Sequence, residues 1–155
     1  MPPLRHSIVP PSVIGGGFSA YDVLVGVGAR YRALGGSAGN VLAILAYLGW
    51  KSYPVAHLGS DDAAELIRQE FKALGAVTSF LHSRETTKTP VVYQWLDEGR
   101  PRYSFACPVC GENTKRVEPE IADLASEVAH EAPVPQVFFF DRTTALNARL
   151  ASHYR

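Results

Sequence analysis

The chain has 155 residues, the size of one ordinary domain, and its 15 basic and 15 acidic side chains cancel to a net charge of zero. Hydrophobic residues make up 46% of a globular composition, and no cluster of Lys and Arg supports binding to nucleic acid or to a membrane surface. No apolar run approaches the ~20 residues of a membrane span, and the N-terminus lacks the apolar core of a signal peptide. With only two cysteines, a reducing cytoplasmic location is expected.

The first half of the chain alternates strand and helix signals. Apolar residues at helical spacing define each helix, and a glycine follows each one as a stop. In order, the predicted elements are an extended lead-in (1–11), a strand (12–14), a helix N-capped by Ser37 and stopped by Gly49, a strand (53–58), a helix capped by Ser60 or Asp61 and stopped by Gly75, and a strand (77–81).

The second half begins with a hairpin signal. Two strand-like runs, 91–96 and 102–105, flank a five-residue turn at 97–101. A helix over 118–130, an apolar strand over 136–140 and a helix from 143 to 155 follow. The apolar strand is expected to be buried on both faces of a sheet. The alternation predicts an α/β fold with a mostly parallel sheet flanked by helices, from which one antiparallel hairpin projects.

The segment 35–40, Gly35-Gly36-Ser37-Ala38-Gly39-Asn40, is the strongest candidate for a binding site. Two glycines allow close approach to the backbone, and an amide side chain follows at the start of a helix. Free N–H groups and the positive end of the helix dipole are expected there. This combination suits a small polyhydroxylated or anionic ligand.

The order of these motifs resembles the PfkB (ribokinase-like) carbohydrate kinase family. The similar elements are the segment 17–22 after the first strand, Gly35-Gly36 with Asn40, Leu48-Gly49, Gly59-Ser60-Asp61, Leu74-Gly75 and Asp141. They run in family order across most of the chain. Each is weak alone, and the series together is fairly specific.

The resemblance implies a role for five residues in holding a substrate. Asp22 matches the carboxylate that accepts hydrogen bonds from substrate hydroxyls. Gly35 and Gly36 match the glycine pair against which the substrate lies. Asn40 matches an amide that contacts sugar oxygens, and Asp141 falls where many members place a carboxylate near the sugar.

The resemblance also implies the reaction, which is transfer of the ATP γ-phosphate to a hydroxyl of a sugar or nucleoside, with Mg²⁺ neutralising the phosphates. The hairpin at about 90–106 matches the family's lid, which excludes water. The family's glycine-rich anion hole and catalytic aspartate have no counterpart before Arg155. The contacts to ATP and Mg²⁺ and the catalytic base are therefore expected mostly beyond residue 155. We expect the 155-residue chain, as the N-terminal part of one kinase domain, to be inactive alone.

Other interpretations of the same residues remain open. Asp22 could cap a turn or pair with Arg30 or Arg32, and Asp141 could N-cap the helix that follows it. The spacing Gly15-x-Gly17-x-x-Ala20 loosely fits a dinucleotide fingerprint, although no acidic residue occurs where the ribose would need one.

Two further features support alternatives. Cys107 and Cys110, in the loop 107–117, have the spacing of half a zinc ribbon, but a structural zinc needs four ligands. The pair could bind metal, act as a redox pair or remain as two reduced thiols. Four alternating aromatic residues on the hairpin allow a homodimer through the lid or ordinary cross-strand packing: Tyr93, Trp95, Tyr103 and Phe105. The rival function is a non-catalytic small-molecule-binding or dimerisation module, with a metal at the cysteine pair.

Overall fold

The computed structural model describes residues 9–26, 29–114 and 122–154. Most of the lead-in at 1–11, the start of the helix expected from 118, the end of the 107–117 loop and Arg155 lie outside these ranges. In chain order the elements are β1 (Ser12–Gly16), β2 (Ala20–Gly26), β3 (Ala29–Gly35), α1 (Ser37–Tyr47), β4 (Lys51–Gly59), α2 (Asp62–Ala73), β5 (Leu81–Arg84), β6 (Val91–Asp97), β7 (Arg100–Ser104), α3 (Ala122–Glu131), β8 (Val137–Phe140) and α4 (Ala145–His153).

A four-stranded parallel sheet has the order β5-β4-β1-β8. Val13 and Ile14 are neighbours in β1 and are both fully buried, because successive strand residues point to opposite faces. Val13 belongs to a core formed with α1 and α2, and Ile14 belongs to a second core formed with α3 and α4. Helices therefore cover both faces, which confirms the predicted α/β class.

A second, mixed sheet has the order β3-β2-β6-β7. Strands β2 and β3 pair antiparallel, β2 and β6 pair parallel, and β6 and β7 form the hairpin. The sequence pattern identified only the hairpin. It did not predict β2 and β3. Because β2 pairs with β6, the hairpin is part of a larger sheet rather than an isolated projection.

Helix α2 shows how local signals set an element. The Asp61 carboxylate accepts the Ala64 N–H at 2.9 Å as the N-cap. Ala64, Ile67 and Phe71, at helical spacing, are all fully buried. Gly75 follows with a φ of +90°, the conformation expected just after a helix end.

Two strand predictions were wrong in position or environment. The strand expected at 77–81 lies at Leu81–Arg84, because the backbone turns at 79–80 and the Leu81 N–H donates to the Thr78 carbonyl. Strand β8 is not buried on both faces: it is the edge of the described sheet, and its Phe140 side chain is 43% exposed.

Two local predictions were also wrong. The hairpin turn has two residues, Glu98 and Gly99, both with positive φ, whose twist matches that of paired strands. Ser37 is the first residue of α1 rather than its N-cap. Gly36 is the cap and has no side chain to accept a hydrogen bond.

Candidate functional site

The start of α1 packs against the loop that joins β1 to β2. The Phe18 carbonyl accepts the N–H groups of Ala38 at 3.0 Å and Gly39 at 3.3 Å. These two amides are therefore not free for a ligand, so the expectation of an open helix N-terminus was wrong for them. The protein's own backbone satisfies them.

Gly36 makes this packing possible. Its φ of +84° and ψ of +153° lie in a region that essentially only glycine adopts. A Cβ at Gly36 would lie 2.9 Å from the Phe18 carbonyl carbon and 3.0 Å from the Ala20 nitrogen. No side chain fits there without displacing backbone.

Asp22 lies inside β2, next to Gly35, the first glycine of the pair. Its carboxylate fills the space where a Gly35 side chain would stand. The Gln94 side chain, on the neighbouring strand β6, donates a hydrogen bond to it. Burial raises the pKa of Asp22, and the Gln94 hydrogen bond partly offsets that rise. Among the described residues its partner is thus Gln94 rather than Arg32.

Asp141 follows β8 and ties three segments together. Its two carboxylate oxygens accept the Phe18 N–H at 3.2 Å, and it also accepts the Ser37 hydroxyl and the Arg142 guanidinium. Burial opposes ionisation, but the bonds from Ser37, Arg142 and Phe18 outweigh it and lower the pKa of Asp141. The N-cap of α4 is Thr144, so the alternative of Asp141 as a helix cap was wrong.

Asn40 lies one turn into α1 and is exposed. Its backbone N–H donates to the Gly36 carbonyl at 2.9 Å, which places the residue directly above the glycine pair. Within the described part of the chain its side-chain amide makes no hydrogen bond to protein, so both its donor and acceptor groups face solvent.

The structure thus places all five predicted residues around one junction. Asp22 contacts Gly35, and Gly36 contacts the 18–20 backbone that Asp141 holds. The junction offers carboxylate acceptors, an amide that both donates and accepts, and a bare backbone surface. Such a set can hydrogen-bond neighbouring hydroxyl groups. Their contact with a substrate stays a prediction.

The sequence analysis did not predict the roles of three side chains at this junction. Gln94 holds Asp22, while Ser37 and Arg142 hold Asp141. The Arg142 guanidinium also lies 5.1 Å from the Phe18 ring centroid. Two of them gave a signal in the sequence: Arg142 directly follows Asp141, and Ser37 lies within the candidate segment 35–40.

The dinucleotide alternative does not fit the fold. After Gly17 the chain enters β2 at Ala20, whereas that fingerprint requires a helix whose N-terminus faces the pyrophosphate.

A pocket of about 400 Å³ lies on the other face of the mixed sheet, between β2, β6, α2 and the cysteine loop. Tyr21 and Val23, which alternate with Asp22, form part of its wall, and Cys107 and Cys110 form another part. In residues 9–26, 29–114 and 122–154, no group of three or more His, Cys, Asp or Glu side chains is arranged to hold a metal ion.

A family model described as pfkB family carbohydrate kinase matches residues 17–131. The chain belongs to this family. No curated protein matches it. The match extends from the glycine at the β1–β2 turn into α3, so it includes four of the five predicted site residues of this PfkB chain.

Solved structures similar to this chain include sugar kinases. A ribokinase of Arabidopsis thaliana, complexed with ribose and ATP, has a TM-score of 0.69 at 16% identity, and the match covers 94% of this chain and 50% of that one. An uncharacterized sugar kinase of Pyrococcus horikoshii has a TM-score of 0.64 at 18% identity, covering 83% and 42%. These two show the shared fold.

A fructokinase of Xylella fastidiosa with bound ATP is 28% identical, with a TM-score of 0.55, and the match covers 64% of this chain and 34% of that one. The PfkB chain thus spans half or less of each of these three structures. None of the helices in its described residues is long and apolar enough to cross a membrane.

Proposed function

We propose that this chain is the acceptor-binding part of a kinase that transfers the γ-phosphate of ATP to a hydroxyl of a sugar or nucleoside. One observation carries the proposal: the Asp22 carboxylate lies against Gly35, beside Gly36 and Asn40, in a chain of the PfkB family. Membership of a carbohydrate kinase family supports the class of acceptor.

In this proposal Asp22, oriented by Gln94, accepts hydrogen bonds from two neighbouring substrate hydroxyls. Asn40 donates to and accepts from a further oxygen, and the glycine pair leaves room for the sugar ring. The oxygens of Asp141 already accept hydrogen bonds from Phe18, Ser37 and Arg142, so its main contribution is to hold these segments together. A substrate contact would use the remaining lone pairs of its carboxylate. Holding the acceptor in one orientation lowers the barrier to in-line transfer.

ATP is the proposed phosphoryl donor, and Mg²⁺ would neutralise its phosphates. Mg²⁺ is usually held by one or two carboxylates together with water and the substrate phosphates, so its site would form with the bound nucleotide. The proposal takes the ATP and Mg²⁺ contacts, and the base that removes the hydroxyl proton, to lie mostly beyond residue 155.

The hairpin β6–β7 is the proposed lid. Phe105, just after β7, packs edge-on against Phe18 with ring centroids 6.0 Å apart, which connects the hairpin to the β1–β2 loop. Tyr31, Leu96 and Tyr103, on the same sheet, are each at least 70% exposed. A second copy of the chain is the proposed partner of that surface, and a cytoplasmic location is the proposed compartment.

Substitution of Asp22 by Asn tests the site with little change in shape. Titration calorimetry with ribose, fructose and adenosine should identify a ligand of the wild-type chain. Its affinity should fall roughly 10- to 100-fold in Asp22→Asn, because a charged hydrogen-bond acceptor is lost. Asp97→Asn, an exposed carboxylate at the hairpin turn, is the matched control and should bind like wild type.

Stability separates loss of binding from loss of fold. Burial raises the folded-state pKa of Asp22 above its unfolded value, so keeping this carboxylate ionised at neutral pH lowers the stability of the folded chain. Asp22→Asn should therefore unfold at a urea concentration equal to or higher than wild type. A bound sugar with unchanged affinity in this folded variant would refute the assigned role of Asp22.

A further inference from the structure

The two cysteines form a compact pair on the wall of the pocket behind the mixed sheet. The Cys107 carbonyl accepts the Gly111 N–H at 2.8 Å, and the Cys107 N–H donates to the Glu112 carbonyl at 2.8 Å. Gly111 has a φ of +74°, which lets the chain reverse at this point. The turn therefore brings Cys107 and Cys110 side by side, and the Cys110 side chain hydrogen-bonds to the Cys107 sulfur.

Several donors converge on the Cys107 sulfur. The backbone N–H groups of Cys110 and Val109 point at it, and the Tyr93 hydroxyl, from β6, donates to it as well. These groups stabilise a thiolate and lower the pKa of Cys107 to about 7. Burial is the largest cause that raises the pKa of Tyr93 to about 12, and the hydrogen bond to Cys107 is the second. The phenol therefore keeps its proton beside the thiolate.

Both sulfurs are accessible. Cys107 is half-buried, Cys110 is exposed, and both are free thiols. Both line the pocket of about 400 Å³, whose other walls include Tyr21 and Leu66. A small reagent can therefore reach an activated thiol that has a second thiol beside it.

We propose that Cys107 and Cys110 are a thiol–disulfide exchange site that reacts with low-molecular-weight disulfides of the glutathione type. The Cys107 thiolate attacks one sulfur of the small disulfide and forms a mixed disulfide, and the other half leaves as a thiolate that takes up the Cys107 proton. Cys110 then attacks the Cys107 sulfur, and its proton goes to the second departing thiolate. In sum, two protein thiols are oxidised to one disulfide, and one small disulfide is reduced to two thiols.

The pair suits reversible modification. Disulfides in a reducing compartment are transient and serve catalysis or redox sensing. The site lies on the opposite face of the sheet from Asp22 and does not depend on the proposed kinase function.

Mass spectrometry during titration with oxidised glutathione (glutathione disulfide) tests the proposal. The wild-type chain should convert to a form lighter by two hydrogen atoms, with no thiol left for a chromogenic thiol reagent, and dithiothreitol should reverse the change. Cys110→Ser should stop at a mixed disulfide that carries one glutathione. A wild-type chain that accumulates stable mixed disulfides, forms only disulfide-linked dimers, or must be stripped of a metal by chelation before its thiols react would overturn the proposal.

The pH dependence of alkylation tests the role assigned to Tyr93. In Cys110→Ser, the rate at Cys107 should reach half its maximum near pH 7 in the folded chain, and near the ordinary thiol value of ~8.5 when the same chain is unfolded in urea. Adding Tyr93→Phe keeps the aromatic ring and should move the folded midpoint upward. Equal midpoints in the folded and unfolded chains would remove the basis for Cys107 as the attacking thiol.

Discussion

Replacement of Gly36 by Ala should be among the most destabilising single-methyl changes in this chain. The backbone at Gly36 has a φ of +84° and a ψ of +153°, which costs a residue with a side chain about 1–3 kcal/mol. The new Cβ would also lie 2.9 Å from the Phe18 carbonyl carbon, and relief of such overlap typically costs another 1–3 kcal/mol. Because the atoms it meets are backbone, they cannot rotate away. We expect a loss of about 4 kcal/mol in the free energy of unfolding.

Gly49 provides the matched control. Its φ of +87° is nearly the same, but no atom lies within 4 Å of a Cβ built there. Gly49→Ala should therefore show only the cost of the left-handed backbone, about 1–2 kcal/mol. The difference between the two variants reports the collision with the 18–20 backbone, together with any difference in backbone strain between the two glycines.

Urea unfolding followed by the fluorescence of Trp50 and Trp95 measures both variants. A Gly36→Ala chain with no cooperative transition, beside a Gly49→Ala chain that unfolds normally, would agree with the expected order. If the two unfolding free energies agree within about 0.5 kcal/mol, the close packing of loop 17–19 on α1 does not exist as described.

Three further predictions use the same measurement. Asp61→Ala should lower the free energy of unfolding by about 2 kcal/mol, because the Asp61 carboxylate accepts the N–H groups of both Ala64 and Thr89. The adjacent control Asp62→Ala should lower it by under about 0.5 kcal/mol, and equal losses would contradict the role of Asp61 as a cap. Asp141→Asn should lose about 2 kcal/mol at pH 7. The folded-state pKa of Asp141 is lowered, so its stabilising contribution is complete above the unfolded pKa of about 3.9 and disappears as the pH falls through the folded pKa. The difference in unfolding free energy between wild type and Asp141→Asn should therefore disappear in acid. A difference that does not depend on pH would refute this. Phe71→Ala should lose about 3–5 kcal/mol, because the fully buried ring would leave a cavity, and a loss below about 1 kcal/mol would show that α2 does not pack as described.

Much of the architecture could be predicted from local patterns in the sequence. Helix α2 shows why: a capping carboxylate, apolar residues at helical spacing and a terminal glycine lie within fifteen consecutive residues, so each signal acts on its sequence neighbours. The alternation of such segments predicted the parallel sheet. The order of short motifs carried the family resemblance, which the match over residues 17–131 confirmed.

Pairing between distant segments escaped the sequence. Strands β2 and β3 are flanked by glycines, and β2 shows only partial alternation of burial. The two strands pair with each other, and β2 also pairs with β6, about 70 residues further along the chain. The five-residue turn failed for a related reason, because strand pairing extends to Asp97 and Arg100 and leaves only two residues for the reversal.

For the site, the sequence by itself determined which residue types are present and that Gly35, Gly36 and Asn40 lie close together. Tertiary structure alone decided which groups they meet. It placed the Asp22 carboxylate over Gly35, brought Gln94 to Asp22, and filled the first turn of α1 with the Phe18 carbonyl. Spacing along a chain indicates the neighbours within one helical turn or one strand. Contacts between neighbouring strands of a sheet, or between a loop and a helix, depend on how all the elements pack at once.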